Sequence, residues 1–358
     1  MSQRRSKKPR VTPPHERQDW SALGKLPLRT IAGHLNSIDH VRFRSACSSW
    51  RTSSAKRPKT PFLITTGYKE AFSFYDHVRE ENIPLPSDVN TYISYLKSLG
   101  TVYIGIGCSF GWIALAMENQ FEISTITLIN PFTFARVELS QLTGLRLFGG
   151  RVLLSGSPAN LQQRPMVVYH SVYPRHLKFQ QIGDKQWKTI QHPSSLAEVI
   201  ACNGRFYGFT SNELYSIDLQ ANNGNGAVVQ LVLDLPDIFS GAPPPRWKFL
   251  ADFSGDLVVM CSHNERELFL KVDLENLRLV LMPNMAHCLL FQCQSGSSFY
   301  IPGDHRFLKF NHDSHHIVNT GSPNHVIIIY AHHWKHPDCK IRSKAVPLGW
   351  ITPDLNKS

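Results

Sequence analysis

The chain has 358 residues, of which 42% are hydrophobic and 18% charged, so there is apolar material enough for a sizeable core and global disorder is excluded. No run of about 18 apolar residues occurs, which excludes a membrane-spanning helix. Lysine and arginine total 38 against 27 acids, for a formal charge of +11.

The first 17 residues hold Arg4, Arg5, Lys7, Lys8, Arg10 and Arg17 against Glu16 alone, so this basic stretch supplies +5 and the remainder +6. No apolar stretch follows it, so it is not the pattern of a secretory signal. Its composition fits a disordered tail: a nuclear-import signal, a contact for nucleic acid, or a plain solvated arm. Seven widely spaced cysteines, an odd number, suit buried or free thiols in a reducing compartment rather than a disulfide framework. A nuclear or cytoplasmic protein is expected.

Residues 18–58 predict a small helical module. Leu28, Ile31 and Leu35 recur at helical spacing, and Pro27 suits a first helical turn, where its missing N–H costs nothing. Asn36 breaks the pattern, Ser37-Ile38-Asp39 can cap a second helix, and Val41, Phe43, Cys47 and Trp50 continue the apolar positions. About forty residues are too few to bury a good core alone, so such a unit is expected to dock on something.

From Pro61 onward the period becomes that of strands. Val102-Tyr103-Ile104, Ile126–Ile129, Met166–Tyr169, Leu257–Met260 and Val326–Tyr330 are rich in β-branched and aromatic residues, and Asn130-Pro131, Gly149-Gly150, Asn222-Asn223-Gly224 and Pro243-Pro244-Pro245 punctuate them. A stretch near Asn90–Ser98 reads as helix or loop. Glycines that precede strand-like segments recur at Gly107, Gly150, Gly204, Gly255 and Gly296, at intervals of 43, 54, 51 and 41 residues. A period of about 40–50 residues built from short strands predicts the blades of a β-propeller over 59–358, with an irregular all-β sandwich as the alternative. The expected fold class is mainly β: a propeller behind a small α-helical module.

The helical module resembles an F-box. Its opening, Trp20–Pro27, and its end, Val41-Arg42-Phe43-Arg44-Ser45-Ala46-Cys47-Ser48-Ser49-Trp50-Arg51, are similar to that motif, whose end is written R-x-x-x-V-C-x-x-W-R. The remainder resembles the kelch-like propeller that follows the F-box in a large plant group, on Gly107–Trp112, Ile129–Thr133, Val152–Pro158, Gly183-Asp184 before Trp187, and the closing Trp350-Ile351-Thr352-Pro353. The resemblance implies a non-enzymatic substrate receptor of a Skp–cullin–F-box ubiquitin ligase, partnered by a Skp adaptor, a cullin and an unknown protein target. Carried across by position, the adaptor-facing residues are Leu26, Pro27, Leu35, Val41, Phe43, Cys47 and Trp50. Two departures stand out. Leu28-Arg29-Thr30 follows Leu26-Pro27 where family members often have an acid, and Gly33 costs the first helix about 1 kcal/mol relative to Ala.

Other constellations look chemical. Gly107-Cys108-Ser109-Phe110-Gly111 satisfies G-x-S-x-G, but a hydrolase needs a helix after that serine, then an acid and a histidine, in an α/β sheet. His312, His315, His316, His325, His332, His333, His336 and Cys339 include zinc-ligand types, yet they read as strand and loop, where adjacent histidines point to opposite faces. Cys288 and Cys293 read as core. No metal or cofactor is expected, and the dispersed lysines and arginines lack the aromatic-basic stripe of a nucleic-acid groove. His170, Tyr173, Arg175, His176 and Lys178 form a candidate binding face. The target is expected on one propeller face, with loops Gln162–Arg164, Asn222–Asn225 and Gly241–Arg246 contributing. Two alternatives go with this reading: a propeller scaffold whose degenerate F-box lacks ligase coupling, and a serine hydrolase using Ser109.

Overall fold

The computed structural model describes residues 20–54 apart from 36, and from 62 onward the strands with most of their connections; beyond 282 it describes the backbone of strands alone. The chain divides into two compact units, Met1–Pro58 and Lys59–Ser358.

Among its described residues the first unit holds a 3₁₀ turn at Trp20–Ala22 and three short α-helices, α1 (Lys25–His34), α2 (Ser37–Ala46) and α3 (Ser48–Ser53). Spacing of four puts Leu28 and Ala32 on one face of α1, where both are buried against Phe43 of α2. Leu23, Leu35 and Trp50 close the edges of this cluster. Arginines tie the second hairpin together. Arg44 donates to the carbonyls of Arg51 and Ser54 at 2.9 and 2.8 Å, and Arg51 Nε donates to the Arg44 carbonyl at 3.2 Å. These bonds cover carbonyls that a helix end leaves without partners.

The second unit is six four-stranded sheets. Strands β1 (Phe62–Gly67), β2 (Ser73–Asp76) and β3 (Glu81–Pro84) make most of the first blade, and α4 (Ser87–Ser98) follows, settling as helix the stretch that the sequence left open. The second blade is β4 (Val102–Ser109), β5 (Trp112–Asn119), β6 (Glu122–Ile129) and β7 (Arg136–Glu138). The third is β8 (Gly150–Leu154), β9 (Met166–Ser171), β10 (His176–Gln181) and β11 (Lys188-Thr189). The fourth is β12 (Glu198–Cys202), β13 (Arg205–Phe209), β14 (Glu213–Asp218) and β15 (Val228–Asp234). The fifth is β16 (Arg246–Phe253), β17 (Asp256–His263), β18 (Arg266–Asp273) and β19 (Arg278–Leu281).

Blades two to five are antiparallel meanders in chain order. The sixth departs from that order: β20 (Cys288–Cys293) pairs antiparallel with β21 (Ser298–Pro302) and parallel with β23 (Val326–Ala331), which also pairs with β22 (His315–Val318). The last strand, β24 (Ala345–Ile351), then pairs with β1 and completes the first blade. Neighbouring innermost strands run β24, β4, β8, β12, β16 and on to the sixth blade, which returns to β24. A ring closed by sewing the chain's last strand to its first sheet leaves no open sheet edge between its ends.

Strand alternation explains the continuous apolar runs. In β8, Val152 and Leu154 face the core shared with blade two, while Leu153 between them faces the core shared with blade four. In β12, Val199 joins the core on the blade-three side and Ile200 the core on the blade-five side. Blades three and four are therefore covered on both faces, which is why their inner strands read as unbroken hydrophobic stretches rather than alternating ones. Burying one such valine or leucine fully contributes roughly 1.5–3 kcal/mol.

The glycine repeat holds for mixed reasons. Gly204 and Gly255 sit in the hairpins from first to second strand of blades four and five, with φ of +74° and +97°. The equivalent residue in blade two is Gly111 at +79°, not Gly107. Gly107 lies within β4, where a Cβ would stand 2.5 Å from the Val152 carbonyl oxygen of the next blade, and Gly150 opens β8. Gly296 lies outside the described residues.

Candidate functional site

The sequence-predicted adaptor residues separate into three environments. Leu26 and Pro27 are exposed on the first turn of α1, Leu26 with 76% of its surface open. Leu35, Val41, Cys47 and Trp50 are half-buried. Phe43 is buried in the unit's own core, its ring centroid 4.5 Å from that of Trp50, and Trp50 Nε1 donates to the Trp20 carbonyl at 3.0 Å. Among the described residues, the large exposed apolar side chains of this unit are thus Leu26 and two residues outside the adaptor-facing set, Ile31 (42% exposed) and Trp20 (58%).

In the propeller, connections from first to second strand and from third to fourth strand leave a blade at the same end, because successive strands are antiparallel. Every described residue with positive φ lies in such a connection: Phe110 and Gly111, Phe134, Arg164, Gly183, Asn203 and Gly204, Gly255, and Leu277. This end is here called the hairpin face. Glycine and asparagine suit left-handed turns, but Phe110, Phe134 and Leu277 are held there at about 1 kcal/mol or more each. Phe110 is 42% exposed and Leu277 55%.

A groove of about 540 Å³ opens at the same end, between blades three and four. Met166, Phe206 and Ile217 give it buried apolar walls, and Arg205, Asp218 and Gln220 line it with polar groups. Asp218 Oδ1 accepts the Gln220 backbone N–H at 2.8 Å, which fixes the end of β14. Tyr207, also on the lining, has its phenol raised by burial and lowered again by the Arg205 guanidinium, so Arg205 lies close to the tyrosine.

The opposite end of the inner strands carries a polar seam. Glu198 opens β12 and is buried; its Oε2 accepts the Leu250 N–H of β16 at 2.9 Å, and its Oε1 lies 3.8 Å from Arg151 Nη1 of β8. One carboxyl therefore links three successive innermost strands. Burial pushes it up to about 7, with the Leu250 hydrogen bond and Arg151 holding it down in part. Cys202, at the other end of β12, is pushed up to about 12 by burial and by Asp252, and its thiol donates to the Gly255 carbonyl at 3.4 Å. It is a packing thiol. Among the described cysteines Cys47, Cys108, Cys202 and Cys261 form no disulfide.

This geometry overturns one expectation, the exposed His170, and bears on several others. Of the three target loops, Gln162–Arg164 lies in a first-to-second connection at the hairpin face, whereas Asn222–Asn225 and all of Gly241–Arg246 but Arg246, the first residue of β16, lie outside the described residues. His170 is buried, with Nε2 3.2 Å from the Leu196 carbonyl oxygen, so it cannot belong to an exposed face; Tyr173 and Arg175 lie outside the described residues. Ser109 ends β4 and a strand, not a helix, follows its hairpin, so the local setting of a nucleophile elbow is absent there. His315 and His316 lie in β22; His312, His325, His332, His333, His336 and Cys339 lie outside the described residues, among which no metal-binding group of histidine, cysteine or acid occurs. Sequence reasoning missed Arg205, Asp218 and Glu198. Glu198 left one signal, a lone acid opening the apolar Glu198-Val199-Ile200-Ala201-Cys202.

Closed rings of four-stranded blades define a β-propeller, the class of this second unit. The model of the KIB1-4 β-propeller matches residues 86–314, well over half of the chain, and the chain belongs to that family. No curated protein matches the sequence. Among solved structures, a quinonprotein alcohol dehydrogenase-like protein from Bacteroides thetaiotaomicron is 13% identical, with 84% of this chain and 77% of that one covered and a TM-score of 0.41. The dihydro-heme d1 dehydrogenase NirN is 15% identical, with 67% of this chain covered and a TM-score of 0.36; this chain spans about half of that one, 48%. A chain of a nidogen/laminin complex is 10% identical, with coverages of 72% and 84% and a TM-score of 0.35. At such identities and scores none of the three bears on what this chain binds. A propeller of this family is consistent with a protein-interaction scaffold.

Proposed function

We propose that the chain is the target-binding subunit of a Skp–cullin–F-box ubiquitin ligase, with the helical unit on the Skp adaptor and the propeller on a protein target. The observation that carries this reading is the exposed apolar surface of the helical unit. Leu26 and Ile31 of α1, with Trp20 just before it, stand open on a unit whose own core is small, with Leu28, Ala32, Ile38 and Phe43 as its buried hydrophobic side chains among the described residues. Burying such residues on a partner gains what the unit cannot gain alone. The subunit then acts by proximity: holding a target's lysine near the transfer machinery raises its effective concentration, to about millimolar for a flexible tether. Nuclear or cytoplasmic action goes with this role.

A second reading, a propeller scaffold without ligase coupling, is favoured by a different observation. Phe43, Trp50, Arg44 and Arg51, the more specific half of the motif, make their contacts inside the unit, and α1 carries Arg29 and Gly33. Capture of a Skp adaptor and cullin by the full chain separates the two. Leu26→Asp is the sharper probe than Trp50→Ala, because Leu26 is open to solvent and its loss leaves the core intact. Wild type should retain the adaptor and Leu26→Asp should lose it about tenfold or more. No capture by a folded wild type refutes the ligase reading.

A further inference from the structure

Phe110 stands at the β4–β5 hairpin tip with φ +48° and 42% of its surface exposed. Glycine or asparagine would take that backbone without strain, and the ring fills no core. A large apolar side chain that is exposed in a turn it does not suit has a use outside the chain. The hairpin face around it is also electrically biased. Arg136, Lys185, Lys188 and Arg205 lie in the turns or at the strand starts that form this end of blades two to four, while Arg164 and Asp184 cancel each other at 3.1 Å. Asp218 is the carboxylate there with no ion pair among the described residues. Two of the cations are held against rings: Arg136 lies 4.3 Å above the Tyr92 ring and 4.9 Å from the Phe134 ring centroid, and Lys188 5.7 Å from that of Phe179. Between these blades lies the groove of about 540 Å³ with its apolar walls and hydrogen-bonding rim.

We propose that the hairpin face of blades two to four is a docking surface for an extended acidic segment of a partner protein, seated in the groove between blades three and four and reaching over the same face to Phe110 on the blade-two hairpin. This rests on the reading of the propeller as the target-holding part. The ligand is an acidic peptide rather than a nucleic acid because the cations are few and follow no aromatic stripe; its acids meet the cations around the groove, away from Asp218. Gln220 and Asp218 suit peptide N–H and C=O groups, and Met166, Phe206 and Ile217 offer a wall to an apolar side chain. The chain's positive charge outside its basic tail steers acidic partners toward it.

The test uses the full chain and fluorescence anisotropy with labelled nine-residue degenerate peptide pools carrying two fixed Glu, two fixed Gln or two fixed Lys, and a twenty-residue oligothymidine. The Glu pool should bind about tenfold tighter than the Gln pool, the Lys pool weakest of the three, and the oligonucleotide more weakly than the Glu pool. Lys185→Glu with Arg205→Glu should abolish the preference for Glu and raise binding of the Lys pool. Phe110→Gly should melt at or above the wild-type temperature yet bind the Glu pool severalfold more weakly, which a structural role for the ring would not produce. Equal binding of the pools, a preference that survives the double reversal, or tighter binding of the oligonucleotide overturns the proposal. Adaptor capture by the wild type keeps the two readings apart: no Glu preference with the adaptor retained defeats the docking surface alone, and a Glu preference without adaptor capture defeats the ligase reading alone.

Discussion

Replacing Glu198 by glutamine should change how the propeller's stability depends on pH. The carboxyl opens β12, buried between Leu250 N–H at 2.9 Å and Arg151 at 3.8 Å, and burial raises it from 4.5 to about 7. Between those values the folded chain keeps a proton that the unfolded chain has released. Stability therefore falls as pH rises from about 4.5 to about 7 and levels off above it, with a total change of about 3 kcal/mol at 1.36 kcal/mol per pH step. Glutamine retains an acceptor for the Leu250 N–H and never ionises. Melting curves of the wild type and Glu198→Gln from pH 4.5 to 8 should converge or favour the wild type at the acid end. Toward pH 8 the variant should gain, by roughly 5 °C or more in relative melting temperature. Arg151→Met should move the wild-type inflection to higher pH, since Arg151 holds the carboxyl down. Parallel curves for the wild type and Glu198→Gln across the range would refute the reasoning, because groups elsewhere cancel in the difference.

Two further outcomes follow from the seams between blades. Gly107→Ala places a methyl group 2.5 Å from the Val152 carbonyl oxygen, a backbone atom that cannot swing aside, and should cost about 2–3 kcal/mol in urea unfolding. Trp187→Phe keeps a ring against the core of blades two and three but loses the bond from Nε1 to the Ser140 carbonyl at 2.9 Å. It should cost about 1 kcal/mol in the same assay, and an unchanged midpoint would show that this bond adds nothing net.

Much of the propeller is legible because its physics is local. Runs such as Met166–Tyr169 and Leu257–Met260 are β-branched and apolar throughout, and both lie in strands buried from two sides. The glycine spacing gave the right period from positions that are not equivalent. Gly204 and Gly255 are hairpin residues with positive φ, but Gly107 is empty space required by a neighbouring blade, and no local pattern distinguishes the two. Trp187-Lys188 and Trp247-Lys248 likewise look alike, yet Lys188 opens an outermost strand whereas the second pair lies in the innermost β16.

Strand content, the period and the apolar helical stretch are properties of neighbouring residues, and the sequence by itself determined them. Tertiary structure alone decided which residues meet. Six blades, the sewing of β24 to β1 and the parallel pair in the last blade depend on contacts up to the full length of the domain. The same holds for Phe43, read as partner-facing and buried by Leu28 and Ala32, and for Leu26, left open two residues before the core residue Leu28. It holds again for the hairpin face, where Phe110, Arg205 and Asp218 come from separate turns and share one end because antiparallel strands return every second connection to the same side.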